Sequence, residues 1–230
     1  VSRRHALLHL DTTAGPAEIR ISAAVFDCDG LLVDSESIWL NMISDWLAEH
    51  QTPQAQAEDF LGLSVDDTAG RLAEHFTSED EAGAIANQLT HRYSSLLGAG
   101  VSPMPGAVRL FSALAKQVPV AVASNGLRVD VTAMLSNSGL MDLAQAVFTL
   151  EDVAAGKPAP DLYEQACQHL GAERKQAVAF EDSPAGAQAA LAAGLLVVGV
   201  NANPQIKLPC THRVESLDHI RLREQHVPSR

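Results

Sequence analysis

The chain has 230 residues, of which 47% are hydrophobic and 19% charged, enough apolar material for a sizeable core and too much for a disordered chain. Its 16 basic and 28 acidic residues leave a net charge of −12, and no lysine or arginine run interrupts that balance, which argues against nucleic acid as a partner. An acidic protein that handles an anion has to build a local positive field from a metal ion, a lysine or helix N-termini.

Cys28, Cys167 and Cys210 stand apart with no C-x-x-C pair, so neither a disulfide framework nor a zinc site is expected, and the thiols are read as reduced. The apolar stretch after Arg3 and Arg4 is too short for a secretory signal. The longest apolar run, residues 191–200, contains two glycines and covers half a membrane span. The expectation is a cytoplasmic monomer with no membrane partner.

In chain order, residues 23–27 form the first strand candidate. From about 37 to 97 no strand pattern follows, only helical periodicity: Ile38, Leu40, Ile43, Trp46 and Leu47 make one stripe, and Ile85, Leu89, Tyr93, Leu96 and Leu97 another. Between them Ser64-Val65-Asp66-Asp67 reads as a capping box that opens a helix. Gly98-Ala99-Gly100 and Pro103-Met104-Pro105-Gly106 make a hinge candidate. Beyond it helices (107–116, 129–138, 161–170, 184–193) alternate with short apolar strands (119–123, 146–149, 177–181, 196–200). Nearly continuous Val/Ala/Phe runs suit strands buried on both faces of a parallel sheet. The alternation predicts an α/β doubly wound, Rossmann-like sheet with ligands at the carboxyl ends of its strands. The predicted organisation is a discontinuous core, residues 1–36 and 105–230, with a small all-helical domain, 37–104, inserted after the first strand.

Four polar clusters are read at, or just after, predicted strand ends. In Asp27-Cys28-Asp29-Gly30 the two acids are two residues apart, so an extended backbone turns both carboxylates to one side. Their mutual repulsion favours a bound divalent cation or one raised pKa, and phosphoryl transfer uses both. Ser124-Asn125-Gly126 offers a hydroxyl and backbone N–H groups at a helix entrance, a natural anion site, though the same triplet also makes an ordinary cap. Lys157 lies in Gly156-Lys157-Pro158, fixed by a stiff neighbour, and the Lys157–Pro158 bond is a candidate cis peptide. Glu181-Asp182-Ser183 ends a buried strand, where two acids need a cation or hydrogen bonds. The four clusters together, in this order, carry more weight than any one.

These motifs resemble the haloacid dehalogenase superfamily of phosphatases. Phe26-Asp27-Cys28-Asp29-Gly30-Leu31-Leu32-Val33-Asp34-Ser35-Glu36 is similar to the first motif, Ser124-Asn125 to the second, Lys157 to the third, and Phe180-Glu181-Asp182-Ser183-Pro184-Ala185-Gly186 to the fourth. The helical insertion resembles the type-1 cap shared by phosphoglycolate, glycerol-phosphate and sugar-phosphate phosphatases and β-phosphoglucomutases. The resemblance implies magnesium-dependent hydrolysis of a small phosphorylated metabolite, a sugar or polyol monophosphate, through an aspartyl-phosphate. It implies that Asp27 is the nucleophile and Asp29 the general acid and base. Magnesium would be held by Asp27, the main-chain carbonyl of Asp29, Asp182 and, directly or through water, Glu181. Ser124 and Lys157 would bind the phosphoryl oxygens, with Asn125 fixing phosphate or the adjoining loop.

Haloacid dehalogenation is disfavoured, because dehalogenases of the superfamily lack the acid found here as Asp29. A non-catalytic phospho-receiver is usually half this length and carries no helical insertion. β-Phosphoglucomutase is the runner-up. Its cap loop typically has a lysine and an arginine where this chain has Leu61-Gly62-Leu63-Ser64-Val65, so the phosphatase reading is preferred, with Leu61 and Val65 as candidate specificity residues.

Overall fold

The computed structural model describes residues 5–51, 55–60, 63–74 and 81–223. Asp34–Val101 form one compact unit, and the described residues on either side of that segment form a second.

The larger unit is built on a six-stranded sheet of β3 (Ala23–Phe26), β4 (Val120–Ala123), β5 (Ala146–Phe148), β6 (Ala177–Glu181), β7 (Leu196–Val200) and β8 (His212–Val214). Their order is β5-β4-β3-β6-β7-β8 and every neighbouring pair is parallel. All residues of β3, β4 and β6 are buried, which is why these strands read as unbroken apolar runs rather than alternating ones. Two side-chain sets nonetheless alternate through the sheet. Ala23, Val25, Ala121, Ala123, Ala177 and Ala179 pack with Leu162, Tyr163 and Ala166 of α6 (Asp161–His169) and with Ala187, Ala189 and Ala190 of α7 (Pro184–Ala192). Alanine on strand and helix alike brings the layers close. Phe26 instead meets Phe111 of α4 (Ala107–Ala115) at 4.8 Å and Phe180 at 4.6 Å between ring centroids. The remaining helix of this unit is α5 (Arg128–Asn137).

The chain leaves β3, builds β4 and β5 on one side, then crosses to build β6 and β7 on the other. Strand order therefore reverses at β3, and the crevice at such a reversal is where α/β sheets bind ligands.

A second sheet was not expected. β1 (Ala6–Thr12) and β2 (Gly15–Ile21) form an antiparallel hairpin, and β9 (Ile220–Leu222) pairs with the far edge of β1. Ala6, Leu8 and Leu10 are buried, whereas His9 and Asp11 face outward, with His9 Nδ1 2.9 Å from Glu18 Oε1. Gly15, at φ +117°, closes the turn.

Every element among the described residues of the smaller unit is helical: α1 (Ser35–Glu49), a short 3-10 turn (Ala57–Phe60), α2 (Val65–Ala73) and α3 (Glu81–Ala99). Its core gathers Trp39, Met42, Ile43, Trp46 and Leu47 from α1, Leu72 from α2, and Ile85 and Leu89 from α3. The buried stripe of α1 is therefore turned from the predicted one, with Trp39 and Met42 inside and Ile38 and Leu40 only half-buried. In α3, Leu96 is exposed and Tyr93 half-buried, its ring edge-on to Trp39. Ser64 caps α2 as the first half of the expected box: its Oγ accepts from Asp67 N at 3.0 Å, and its hydroxyl donates to Asp67 Oδ2 at 2.7 Å.

Candidate active site

Asp27 follows β3 directly and its backbone N–H donates to Phe180 O at 3.1 Å, so the chain is still extended where the acid emerges. Gly30 N then donates to Val33 O, and Leu32 N to Cys28 O, which closes a tight turn with Gly30 at φ +73°. Asp27 and Asp29 each meet a partner from another motif. Asp29 Oδ2 accepts the Ser124 hydroxyl at 2.9 Å, and Lys157 Nζ donates to Asp27 Oδ1.

Ser124 directly follows β4, its N–H anchored on Phe148 O at 3.0 Å, and its hydroxyl oxygen also accepts from Gly126 N at 2.8 Å. Asn125 is a clasp. Its Oδ1 accepts from Lys157 N at 2.8 Å while its Nδ2 donates to Lys157 O at 3.1 Å. Of the two roles expected for Asn125, this geometry supports fixing the loop. Gly156 is needed beneath the clasp, since a Cβ there would lie 2.7 Å from Asn125 Oδ1 and 2.3 Å from Leu150 Cδ2. The Lys157–Pro158 peptide is cis.

Lys157 is nearly buried, with 4% of its side chain exposed, and it is shared by Asp27 and by Glu181 Oε1, the latter at 2.6 Å. Burial works against its charged form, but the two carboxylates outweigh burial and raise the ammonium pKa above its ordinary value. Burial pushes Asp27 well up; Lys157 opposes that shift and Glu181, Asp182 and Asp29 add to it. Asp182 is pushed up to about 7, by burial first and then by Glu181.

Oxygens of Asp27, Glu181 and Asp182 lie within 4.8 Å of one another. Four acids, Asp27, Asp29, Glu181 and Asp182, share the crevice with one ammonium, an acidic excess that a divalent cation offsets. Asp182 Oδ1 is buried with no hydrogen-bond partner, and its Oδ2 occupies the space where a Cβ on Gly30 would stand, at 2.5 Å. An orphaned carboxylate oxygen beside two other acids fits a hard-cation ligand. The donor set, all oxygen, suits magnesium.

Asp27, Asp29, Ser124, Asn125, Lys157, Glu181 and Asp182 are thus brought into one crevice of the larger unit. Val65 opens α2 of the smaller unit, and Leu61 lies outside the described residues. Two further residues belong to the crevice. The Tyr163 hydroxyl donates to Glu181 Oε1 at 2.5 Å, and Asn201 Nδ2 donates to Asp182 O at 3.1 Å. Asn201 directly follows β7, the same strand-end signal that marks Asp27 and Ser124. Tyr163 gave no such signal, because a tyrosine on an amphipathic helix reads as core.

The family model described as "haloacid dehalogenase-like hydrolase" matches residues 24–200, the span that holds all these groups except Asn201. Validoxylamine A 7'-phosphate phosphatase of Streptomyces hygroscopicus subsp. limoneus is 31% identical over 209 residues, covering 84% of this chain and 88% of that one. Hexitol phosphatase A of Escherichia coli (strain K12) is 34% identical over 186 residues, covering 80% and 85%. Among solved structures, a HAD family hydrolase of Deinococcus radiodurans R1, with bound phosphate and sodium, superposes with a TM-score of 0.70 at 29% identity over 86% of this chain and 92% of its own.

Proposed function

The chain belongs to the haloacid dehalogenase-like hydrolases, and on that premise we propose that it is a magnesium-dependent phosphatase of small sugar or polyol monophosphates. The observation that carries this reading is the sharing of Lys157 between Asp27 and Glu181 beside the orphaned oxygen of Asp182. A carboxylate meant to attack a dianionic phosphoryl group needs that group's charge neutralised nearby, and it needs its own position fixed.

In this reading Asp27 attacks phosphorus and becomes the aspartyl-phosphate, while Asp29 gives its proton to the departing alkoxide and later takes one from the attacking water. Ser124, already bonded to Asp29, turns its hydroxyl to a phosphoryl oxygen, and Lys157 supplies a fixed positive charge to another. Asn125 keeps Lys157 in place through its backbone. Magnesium, held by Asp27, Asp182 and the Asp29 carbonyl with Glu181 behind them, would neutralise charge on the transferring group. Asp29 separates this chemistry from dehalogenation, which has no alcohol to protonate.

The substrate class follows the relatives named as phosphatases of a hexitol and of validoxylamine A 7'-phosphate. Selectivity among such esters is proposed to depend on uncharged residues of the helical unit, Val65 among them. We also propose that the protein is a cytoplasmic monomer.

A phosphate-release screen over sugar, polyol, nucleotide and acid phosphates tests the proposal. Small sugar or polyol monophosphates should be hydrolysed fastest, a chelator should stop turnover and added magnesium should restore it. Asp27→Asn should lower kcat by at least about three orders of magnitude, as loss of a nucleophile does. Efficient conversion of β-glucose 1-phosphate to the 6-phosphate with little free phosphate would instead identify a mutase.

A further inference from the structure

Glu181 and Asp182 are adjacent in sequence, yet their carboxylates meet opposite surroundings. Glu181 is fully buried and both its oxygens are engaged. Oε1 accepts Lys157 Nζ at 2.6 Å and the Tyr163 hydroxyl at 2.5 Å, while Oε2 accepts Ser183 Oγ at 3.1 Å and Ser183 N at 3.4 Å. A Cβ on Gly186 would fall 1.8 Å from Oε1, so the first turn of α7 packs directly against this carboxylate. Asp182 Oδ1, by contrast, has no partner.

A carboxylate oxygen offers about two lone-pair directions, and on Glu181 Oε1 both are taken. Tyr163 supplies one of the two donors from a buried position near the start of α6, and its ring centroid also lies 5.3 Å from Lys157 Nζ. One side chain therefore holds the acid through its hydroxyl and the lysine through its ring face. Without the hydroxyl, Oε1 would recover a lone pair on a carboxylate that has an oxygen within 4.8 Å of one oxygen each of Asp27 and Asp182.

We propose that Tyr163 is a positioning residue that sets the cation preference of the site: by occupying Glu181 Oε1 it withholds a third carboxylate and leaves Asp27 and Asp182 as the side-chain ligands. This rests on the metal reading given above. Magnesium demands near-octahedral geometry and keeps several waters, so two carboxylates, a carbonyl and water suit it. Calcium takes about six to eight oxygens in flexible geometry and gains most from an added, potentially bidentate carboxylate. Glu181 held back thus disfavours calcium, and Glu181 released favours it.

Calorimetric titration of wild type and Tyr163→Phe with magnesium and with calcium, each alone, tests this. Calcium should bind the variant about tenfold more tightly, the scale of outer-shell effects on metal affinity, while the magnesium Kd moves less than about threefold. Calcium should also become a stronger inhibitor of magnesium-supported turnover. An unchanged ratio of the two Kd values, or equal weakening of both, overturns the proposal. Asp182→Asn is titrated in parallel and should lose magnesium binding. If it binds as wild type does, the metal reading fails and this proposal with it. If it loses the ion while Tyr163→Phe keeps the wild-type ratio, the role of Tyr163 alone is overturned. Should Tyr163→Phe fail to fold, Ser183→Ala removes the hydroxyl, the shorter of the two donors to the other oxygen of Glu181, and should shift the ratio toward calcium; an unchanged ratio there overturns the proposal equally.

Discussion

At the scale of single residues, the crevice separates similar groups by what surrounds them. Asp27 and Asp182 are both carboxylates pushed upward by burial, but Asp27 has Lys157 to oppose the shift at contact distance, whereas Asp182 keeps a bare oxygen. The consequence for pH has a definite sign. A carboxyl whose folded pKa, about 7, lies above its ordinary value of 3.8 stabilises the metal-free fold in its protonated form. That contribution is complete below the unfolded value and is lost as pH rises through the folded one. Magnesium needs the ionised form, so metal and proton compete. Thermal unfolding with a chelator and with saturating magnesium should show this. With rising pH the metal-free midpoint should fall between about pH 4 and pH 7, and the gain on adding magnesium should grow over the same interval. A gain independent of pH would mean that Asp182 is not a ligand.

At the scale of elements, legibility followed burial. Strands buried on both faces stand out as short Val/Ala/Phe runs, and their carboxyl ends carry the acids, the serine and the turn glycine, so β3, β4, β6 and the residues after them were readable from the chain alone. The hairpin β1–β2 was not. Ala6-Leu7-Leu8-His9-Leu10-Asp11-Thr12 does alternate, but Leu7 blurs the period by placing an apolar side chain on the outer face. β8 and β9, three residues each, are too short to show any period, and pairing partners far along the chain define them. Tyr163 was hidden for the opposite reason: it is core by every local measure, and only the fold brings its hydroxyl to Glu181. The unexpected sheet yields its own expectation. Leu8 is fully buried and paired with Ile19 in the hairpin register, so Leu8→Ala should cost about 2–4 kcal/mol, read from urea denaturation by far-ultraviolet circular dichroism. A loss under about 1 kcal/mol would show that the sheet is an appendage rather than part of the core.

At the scale of the whole molecule, each unit has its own apolar core, and the groups proposed to bind metal and phosphate all belong to the α/β unit. The chain's two tryptophans, Trp39 and Trp46, both lie in the helical unit, so tryptophan fluorescence reports on that unit alone. Trp46 is a sensitive reporter because it stacks on the His50 ring at 3.8 Å and donates from Nε1 to Gln88 Oε1 at 3.3 Å. Leu72 is fully buried in the same core without touching the count of tryptophans, which makes Leu72→Ala the cleaner perturbation. It should lower the fluorescence-detected unfolding free energy by about 2–5 kcal/mol, the cost of deleting a buried leucine. Leu8→Ala should leave that transition in place. Saturating magnesium should raise the transition of the α/β unit through mass action on its folded state and leave the fluorescence transition unmoved. If fluorescence and circular dichroism instead shift together in both variants and with magnesium, the two cores unfold as one cooperative body, and the helical unit cannot be treated as an independently stable insertion.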